Sequence, residues 1–228
     1  STAYKLGQEL QLDLQPAPPL SFTLGAEWIG DRVLSSADLF GDHTGLNLAA
    51  YAQAEMEAGD RVSLSAGGRY DRSRTGQRAA AHSLSPKLGL SYRLLPHTTL
   101  RSALGYGFRG PSTAEIYTSA VFSGIPITPN PDLKPERSLS YEIGLERRFA
   151  PWLRLDLAAF WSRYRNLIEA RPVSTDSVAI TFQNVSKGQI AGLETGLQAS
   201  WRWLGFDGSY TFLDATEDLP SGSSPLPY

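Results

Sequence analysis

Apolar and polar residues alternate along most of this chain. A period of two residues is typical of a β-strand with one apolar and one polar face. The pattern predicts ten strands, at 4–14, 20–29, 45–57, 61–71, 83–95, 99–109, 138–149, 153–164, 189–203 and 206–214. The third strand is the least clearly phased, because Ala50, Ala52 and Ala54 compete with Tyr51 for the apolar face. We predict an all-β fold, an antiparallel up-and-down meander of about ten strands.

The predicted connections alternate between short and long. Those after the odd-numbered strands span about two to five residues, and those after the even-numbered strands span about 11 to 26. A transmembrane β-barrel sorts its connections in this way, with short turns on one side of the membrane and long loops on the other. Because lipid cannot satisfy an open strand edge, either these strands close on themselves or further strands lie outside the chain.

Composition excludes several kinds of chemistry. The net charge of −2, without a basic patch, argues against nucleic acid as a partner, and the absence of cysteine removes thiolate sites. His43, His82 and His97 are far apart, so we predict neither a metal site nor a catalytic group. Residues 105–110 match G-x-G-x-x-G, but a proline-rich loop and an alternating strand follow where a nucleotide-binding fold needs a helix.

Two ordered motifs flank the longest predicted loop. Residues 108–117 read FRGPSTAEIY, and residues 130–145 read NPDLKPERSLSYEIGL. This pair resembles the barrel signature of TonB-dependent outer-membrane receptors, in which an FRAP-like strand end and an ELY-like turn precede an NP-x-LKPE segment. Gly110 departs from the usual alanine. The GLE of 192–194 and the YTFLDA of 210–215 resemble later strands of the same barrel.

The resemblance implies a large barrel, of the 22-stranded type, in the bacterial outer membrane. Residues 1–228 would then be part of the barrel domain, and the plug domain and terminal strands would lie outside the chain. The implied function is TonB-dependent uptake of a scarce ligand, most often a ferric siderophore or similar iron complex. The implied partners are outer-membrane lipid, that ligand, and the TonB complex acting through the plug. Neither covalent catalysis nor a cofactor is implied.

Charged residues of both signs fall on the polar phase of the predicted strands and would line the barrel interior. From these and from the long loops we predict Arg109, Tyr117 and Arg171 as ligand-binding residues, because an anionic chelate needs cationic and hydrogen-bonding groups. Three other functions stay open at this point. They are a passive porin-like channel, a barrel enzyme such as an outer-membrane protease or lipase, and a soluble or surface-exposed β-rich binding domain.

Overall fold

Ten long strands carry the fold, and each pairs antiparallel with the strands on either side of it. The computed structural model describes residues 2–35, 39, 41–78, 80–174, 178–219 and 222–225. In chain order the elements are β1 (Thr2–Ala17), β2 (Leu20–Leu34), β3 (His43–Ala58), β4 (Val62–Thr75), β5 (Ala81–Leu95), β6 (Thr98–Arg109), α1 (Thr113–Tyr117), β7 (Ala120–Phe122), β8 (Ile125–Thr128), β9 (Glu136–Ala150), β10 (Leu153–Pro172), β11 (Ile180–Trp201), β12 (Leu204–Leu219) and β13 (Gly222–Pro225). The predicted meander is confirmed.

The sheet has one apolar and one polar face, as the alternation predicts. Large apolar side chains stand exposed in register on the apolar face, among them Leu12, Leu24, Leu64, Leu88, Leu104, Ile143, Leu193 and Phe212. The ambiguous third strand is resolved by a hydrogen bond. Tyr51 donates its hydroxyl to the Glu9 carboxylate, at 2.6 Å, across the intervening strand. Tyr51 therefore lies on the polar face, and the alanines beside it lie on the apolar face.

The two ends of the sheet differ. At one end, tight turns at 18–19, 59–61, 96–97, 151–152 and 202–203 join successive strands. At the other end, connections at 35–42, 76–80, 110–135 and 173–179 follow the even-numbered members of the ten. The predicted alternation is confirmed, but most of the long connections are shorter than expected, because the strands continue past the apolar pattern. Within the described ranges, no pairing joins β1 to β12 or β13.

The largest difference from the prediction concerns β10 and β11. The predicted strands end at Tyr164 and begin at Gln189, whereas the observed pairing continues to Pro172 and from Ile180. Arg171 was expected in a loop and lies instead in a strand, opposite Thr181. The extension was missed because it carries no regular apolar alternation, since a strand needs that pattern only where one face is apolar.

Residues 110–135 form a folded loop that contains α1, β7 and β8. Ile116 and Leu133, both within it, are the largest fully buried side chains of the described residues, at 0% and 1% exposure. β8 also joins the main sheet, because Ile127 and Thr128 pair in parallel with the first residues of β11. The largest fully buried side chains of the described residues therefore lie in a loop and not in the sheet.

The tip of the β10–β11 hairpin bends back towards β12. Register places Arg171 beside Thr181 and places Glu217 beside Gly188, levels that are seven residues apart along β11. Seven residues of strand span ~23 Å, yet the Arg171 guanidinium lies 2.7 Å from the Glu217 carboxylate. Asn166 has a φ of 57°, which marks where β10 departs from an extended course.

Candidate functional site

Arg109 holds the two ends of the folded loop together. Its guanidinium donates to both oxygens of Glu115, at 3.0 Å each, and to both oxygens of Glu136, at 2.6 and 2.7 Å. Paired charged hydrogen bonds of this kind fix orientation as well as distance. Glu136 also accepts a bond from the backbone N–H of Ile168, so the same carboxylate ties the loop to the bent hairpin.

The short helix α1 begins with a complete capping box. The Glu115 N–H donates to the Ser112 hydroxyl oxygen, and the Ser112 N–H and hydroxyl donate to the Glu115 carboxylate. This arrangement satisfies N–H groups that a helix start otherwise leaves free. Burial of Glu115 alone would raise its pKa, but the bonds from Arg109 and Ser112 lower that pKa below the ordinary 4.5. Glu115 is therefore held as a carboxylate at neutral pH.

Two asparagines join the second half of the loop to β11. The Asn130 amide donates to the Phe182 carbonyl at 2.8 Å. The Asn184 side chain accepts from the Lys134 N–H at 2.7 Å and donates to the carbonyls of Lys134 and Asn166, at 2.8 Å each. The Asn184 amide thus bonds to both the N–H and the carbonyl of Lys134, and also to the carbonyl of Asn166 at the bend of β10. We call residues 110–135 and the described hairpin-tip residues 166–174 and 178–184 the mouth assembly.

Tyr117 extends the mouth assembly towards the first long connections. Its ring stacks on His43 with centroids 3.5 Å apart, and its hydroxyl donates to the Thr75 carbonyl at 3.4 Å. Next to it, the Ser119 N–H donates to the Leu39 carbonyl at 2.8 Å. All of the long connections up to 135 therefore meet at one end of the sheet.

Arg171 anchors the bent tip. It contacts Glu169 on its own strand and Glu217 on β12, at 2.7 Å each. Glu217 is only 2% exposed, and the Arg171 guanidinium is the described cation beside its carboxylate. Residues of β12 alternate between the faces, and Phe212 lies on the apolar face, which puts Glu217 on the polar face. The hairpin tip therefore covers part of the polar face.

A cleft of about 390 Å³ opens beneath the folded loop on the polar face. Asp71 of β4, Arg78, Phe108, Arg109 and Leu133 are among its lining residues. Arg78 donates to the Leu133 carbonyl and Arg109 donates to Glu136, so both arginines that line the cleft already have partners. The charge of Arg109 is balanced by two carboxylates, whereas the described partner of Arg78 is a neutral carbonyl. The cleft therefore offers directed hydrogen bonds together with the cationic group of Arg78.

Arginines deeper on the polar face are paired as well. Arg69 of β4 contacts Glu27, which lies two strands away on β2, and Asp71 on its own strand, at 3.0 Å each. Arg101 contacts Asp156 at 2.9 Å, and Arg154 completes this second group through Glu146 and Asp156. These residues were predicted to line the interior, and the structure places them on one face. Among the described side chains, no group of three His, Asp or Glu could hold a metal ion.

The structure gathers the three predicted ligand residues at one end of the sheet, but it does not join them into one pocket. Arg109 lines the cleft. Tyr117 contacts Thr75 at the end of β4, and Arg171 contacts Glu217 on β12. Asn184 and Glu217, which organise the same region, were not predicted. No local pattern marks them, because their partners lie about 50 residues away in sequence.

Comparison with known proteins gives a consistent result. The family described as "TonB dependent receptor-like, beta-barrel" matches residues 3–228. The ferrienterobactin receptor of Escherichia coli (strain K12) is 29% identical over 231 residues, covering 84% of this chain and 30% of that protein. The vitamin B12 transporter BtuB of Photobacterium profundum is 25% identical over 202 residues, covering 85% of this chain and 30% of that protein.

A solved structure shows the same fold. The siderophore receptor PirA from Pseudomonas aeruginosa superposes with a TM-score of 0.79 and 23% identity, covering 95% of this chain and 43% of that chain. The chain thus spans less than half the length of each of these proteins. No helix among the described residues is long and apolar enough to cross a membrane. The chain belongs to the TonB-dependent receptor family of bacterial outer-membrane proteins, and its sheet is part of the β-barrel of such a receptor.

Proposed function

We propose that the protein imports a ferric siderophore or a similar iron complex across the outer membrane, driven by the TonB complex. Membership of the receptor family and the similarity to a ferrienterobactin receptor support the iron complex as ligand. Similarity to vitamin B12 transporters makes cobalamin the second candidate. Transport needs binding and conformational change without covalent chemistry, so the proposal includes no catalytic residue.

The observation that carries the proposal is the mouth assembly. A passive channel needs an open lumen, whereas here a folded loop and a bent hairpin are fastened over the polar face at one end of the sheet. Such a fixed surface is suited to recognising a bulky ligand, because loops held by a rigid scaffold pre-form a binding site. The long connections then face the cell exterior, and the tight turns face the periplasm.

The exposed apolar face argues against a soluble binding domain. Soluble proteins rarely leave large continuous apolar surfaces uncovered, and here exposed leucines and aromatics continue across strands from β1 to β12. In the proposed arrangement, lipid covers this face and the polar face lines the lumen. Strands and a plug domain from outside the chain would complete the barrel, and the TonB complex would act through the plug.

Ligand contact by Arg109, Tyr117 and Arg171 stays a prediction. We propose that all three serve the site chiefly by holding its walls, because each one already contacts partners within the protein. Substitution of these residues would then weaken binding through loss of loop order.

The test uses the full-length receptor, expressed in Gram-negative cells that lack their own siderophore receptors. We expect uptake of radioactive iron as ferric enterobactin, lost when TonB is deleted or the proton gradient is collapsed. Labelled cobalamin in parallel cultures separates the two ligand candidates. Uptake of small solutes that persists without TonB would overturn the proposal in favour of a passive channel.

A further inference from the structure

Three exposed arginines stand together at the tight-turn end of the sheet. Arg61, in the turn before β4, and Arg93 of β5 are neighbours, because the Arg93 N–H donates to the Arg61 carbonyl at 2.7 Å. Arg148 of β9 adjoins the turn between β5 and β6, where its N–H donates to the His97 carbonyl at 2.9 Å. We call Arg61, Arg93 and Arg148 the rim arginines.

The rim arginines lie on the polar face. Across β6, register makes Arg93 level with Glu146, and it places Arg148 beside Arg154. Glu146 and Arg154 form one of the ion pairs of the polar face, at 3.1 Å. Arg61 is opposite Arg93 on the neighbouring strand, so it shares the same face.

The lipid-facing side of the same end has a different character. Leu94 follows Arg93 and Phe149 follows Arg148, and alternation puts each of these exposed apolar side chains on the opposite face from the arginine before it. Arg147, on that side, stacks on the Phe149 ring with 4.8 Å between its guanidinium carbon and the ring centroid. The sheet therefore separates the rim arginines from the lipid.

No described carboxylate balances the rim arginines, because none of them forms an ion pair with a described side chain. Asp60 precedes Arg61 in the chain without forming such a pair, and Glu146 is already engaged by Arg154. Like charges that face each other on adjacent strands are destabilising, and Arg61 faces Arg93 in this way. An anionic group that bridges the two would remove this repulsion.

The rim arginines also offer a shaped surface. A cavity of about 510 Å³ is lined by Arg61, Arg93, Leu94, Leu95, Pro96 and His97. It combines two guanidinium groups with an apolar lining. From β4 to β9 there are three strand intervals, or ~14 Å. An extended peptide rises ~3.3 Å per residue, so a segment of about five residues would reach from Arg61 to Arg148.

We propose that the rim arginines bind a short acidic segment of a periplasmic protein. Clusters of arginine recognise acidic motifs, because each planar guanidinium donates two parallel hydrogen bonds to a carboxylate. Complementary charge also speeds association, which suits a partner that binds reversibly. The inference rests on the orientation given in the proposed function, in which the tight turns face the periplasm.

The first experiment measures binding of a fluorescent peptide of eight glutamates to the full-length receptor, purified in neutral detergent at low salt. We expect an Arg61→Gln/Arg93→Gln/Arg148→Gln variant to bind it several-fold more weakly than the wild type, and high salt to abolish the difference. The matched controls are Arg148→Gln and Arg147→Gln, which remove equal charge from adjacent positions on opposite faces. Only Arg148→Gln should weaken binding. Equal affinity of the wild type and the triple variant would overturn the proposal.

The second experiment identifies the class of partner in cells. A photo-reactive benzoylphenylalanine replaces His97, which lies between the rim arginines, and cross-linked peptides are mapped by mass spectrometry. We expect a cross-link to an acidic stretch of a periplasmic protein, reduced several-fold when the three arginines are also replaced by glutamine. Cross-links only to the receptor's own plug domain, or only to phospholipid, would overturn the assignment to a periplasmic protein.

A third measurement separates this inference from the proposed function. The chain contains no cysteine, so His97→Cys introduces one thiol at the tight turns. We expect a membrane-impermeant maleimide to label it only after the outer membrane is permeabilised. Labelling in intact cells would overturn the proposed orientation and the periplasmic partner with it. Peptide binding needs no transport, so a failure there would overturn the rim site and leave the proposed uptake standing.

Discussion

Away from the tight turns, the two faces of this sheet treat the same side chain in opposite ways. On the polar face, Arg69, Arg101 and Arg109 each contact carboxylates within the protein. On the apolar face, Arg137 and Arg165 stand directly opposite each other without a described carboxylate partner. The difference cannot come from the residue type. We attribute the difference to what each face meets in the proposed barrel, because the polar face lines the lumen and the apolar face contacts lipid.

An arginine on a barrel wall can have a structural or an interfacial role. The comparison indicates that the role depends on whether the arginine has a carboxylate partner within the protein. A paired arginine is costly to remove, since its carboxylates are left without compensation. An unpaired, exposed arginine is nearly free to remove in the isolated protein. Substitutions on the two faces should therefore separate clearly, and four experiments can break or sharpen the distinction.

The largest effect is expected at Arg171. Its replacement by alanine leaves Glu217, at 2% exposure, buried without a counter-charge. Removal of one partner from a buried pair typically costs about 3 kcal/mol or more, so amide hydrogen exchange at the hairpin tip should accelerate by roughly 100-fold. Arg165→Ala, on the same strand but on the apolar face, is the control and should leave exchange unchanged. Similar exchange in the two variants would contradict the comparison.

Arg109→Ala should have the next largest effect. It leaves Glu115 and Glu136 close together without their shared cation. Because the Arg109 side chain is 46% exposed, solvent screens these pairs and the cost is about 1 kcal/mol. Limited proteolysis of the full-length receptor should then cut the variant within 110–135, and the wild type should resist cleavage there. Adding Glu115→Gln and Glu136→Gln removes the stranded charges and should restore part of the resistance. Cleavage of the wild type at the same rate would show that the loop is not held by this cluster.

Acid should loosen the start of the same loop to a smaller extent. A carboxyl whose pKa is lowered by folding contributes its full stability above the unfolded-state pKa and loses it as pH falls through the lower folded value. For Glu115 the contribution is therefore complete at neutral pH and declines below about 4.5. Hydrogen exchange of α1, corrected for the intrinsic rate, should accelerate in that window. Glu115→Gln should remove this pH dependence, and an unchanged profile in the variant would assign it to other groups.

The smallest effect is expected on the apolar face. Arg137→Gln removes one of two like charges that face each other across β9 and β10. In a neutral detergent this should stabilise the full-length receptor by about 0.2–1 kcal/mol, measurable as a small rise in melting temperature. In membranes rich in anionic lipid the gain should vanish or reverse. A loss of stability in neutral detergent would mean that Arg137 has a partner within the complete receptor.

Most of the sheet could be predicted from sequence because its determinants are local. Alternation over a few residues identifies each strand and its faces, and the turn residues identify the breaks. Alternation did not settle the faces of β3, because Tyr51 lies among alanines that fit either face. It also missed the part of β10 beyond Asn166, which carries no regular apolar alternation. Short elements such as β7 and β8 were also missed, because three or four residues carry too little pattern.

The candidate site was only partly predictable, for a different reason. The two motif segments contain Arg109, Glu115 and Glu136. The sequence does not show, however, that one guanidinium bridges both carboxylates. The capping box of Ser112 and Glu115 is instead a local feature, since both partners lie within one turn. Asn184 was invisible, because its role depends on a loop 50 residues away.

The attachment of β8 to β11 also constrains the order in which the receptor can be built. Each long strand needs only the strand made just before it, so the wall can be added one hairpin at a time. The folded loop is different: Ile127 and Thr128 must wait for Ile180 and Thr181, which arrive two long strands later. The wall beside the loop is therefore finished before the loop closes over it. The mouth assembly can therefore acquire its final shape only once β11 is in place, whichever end of the wall assembles first.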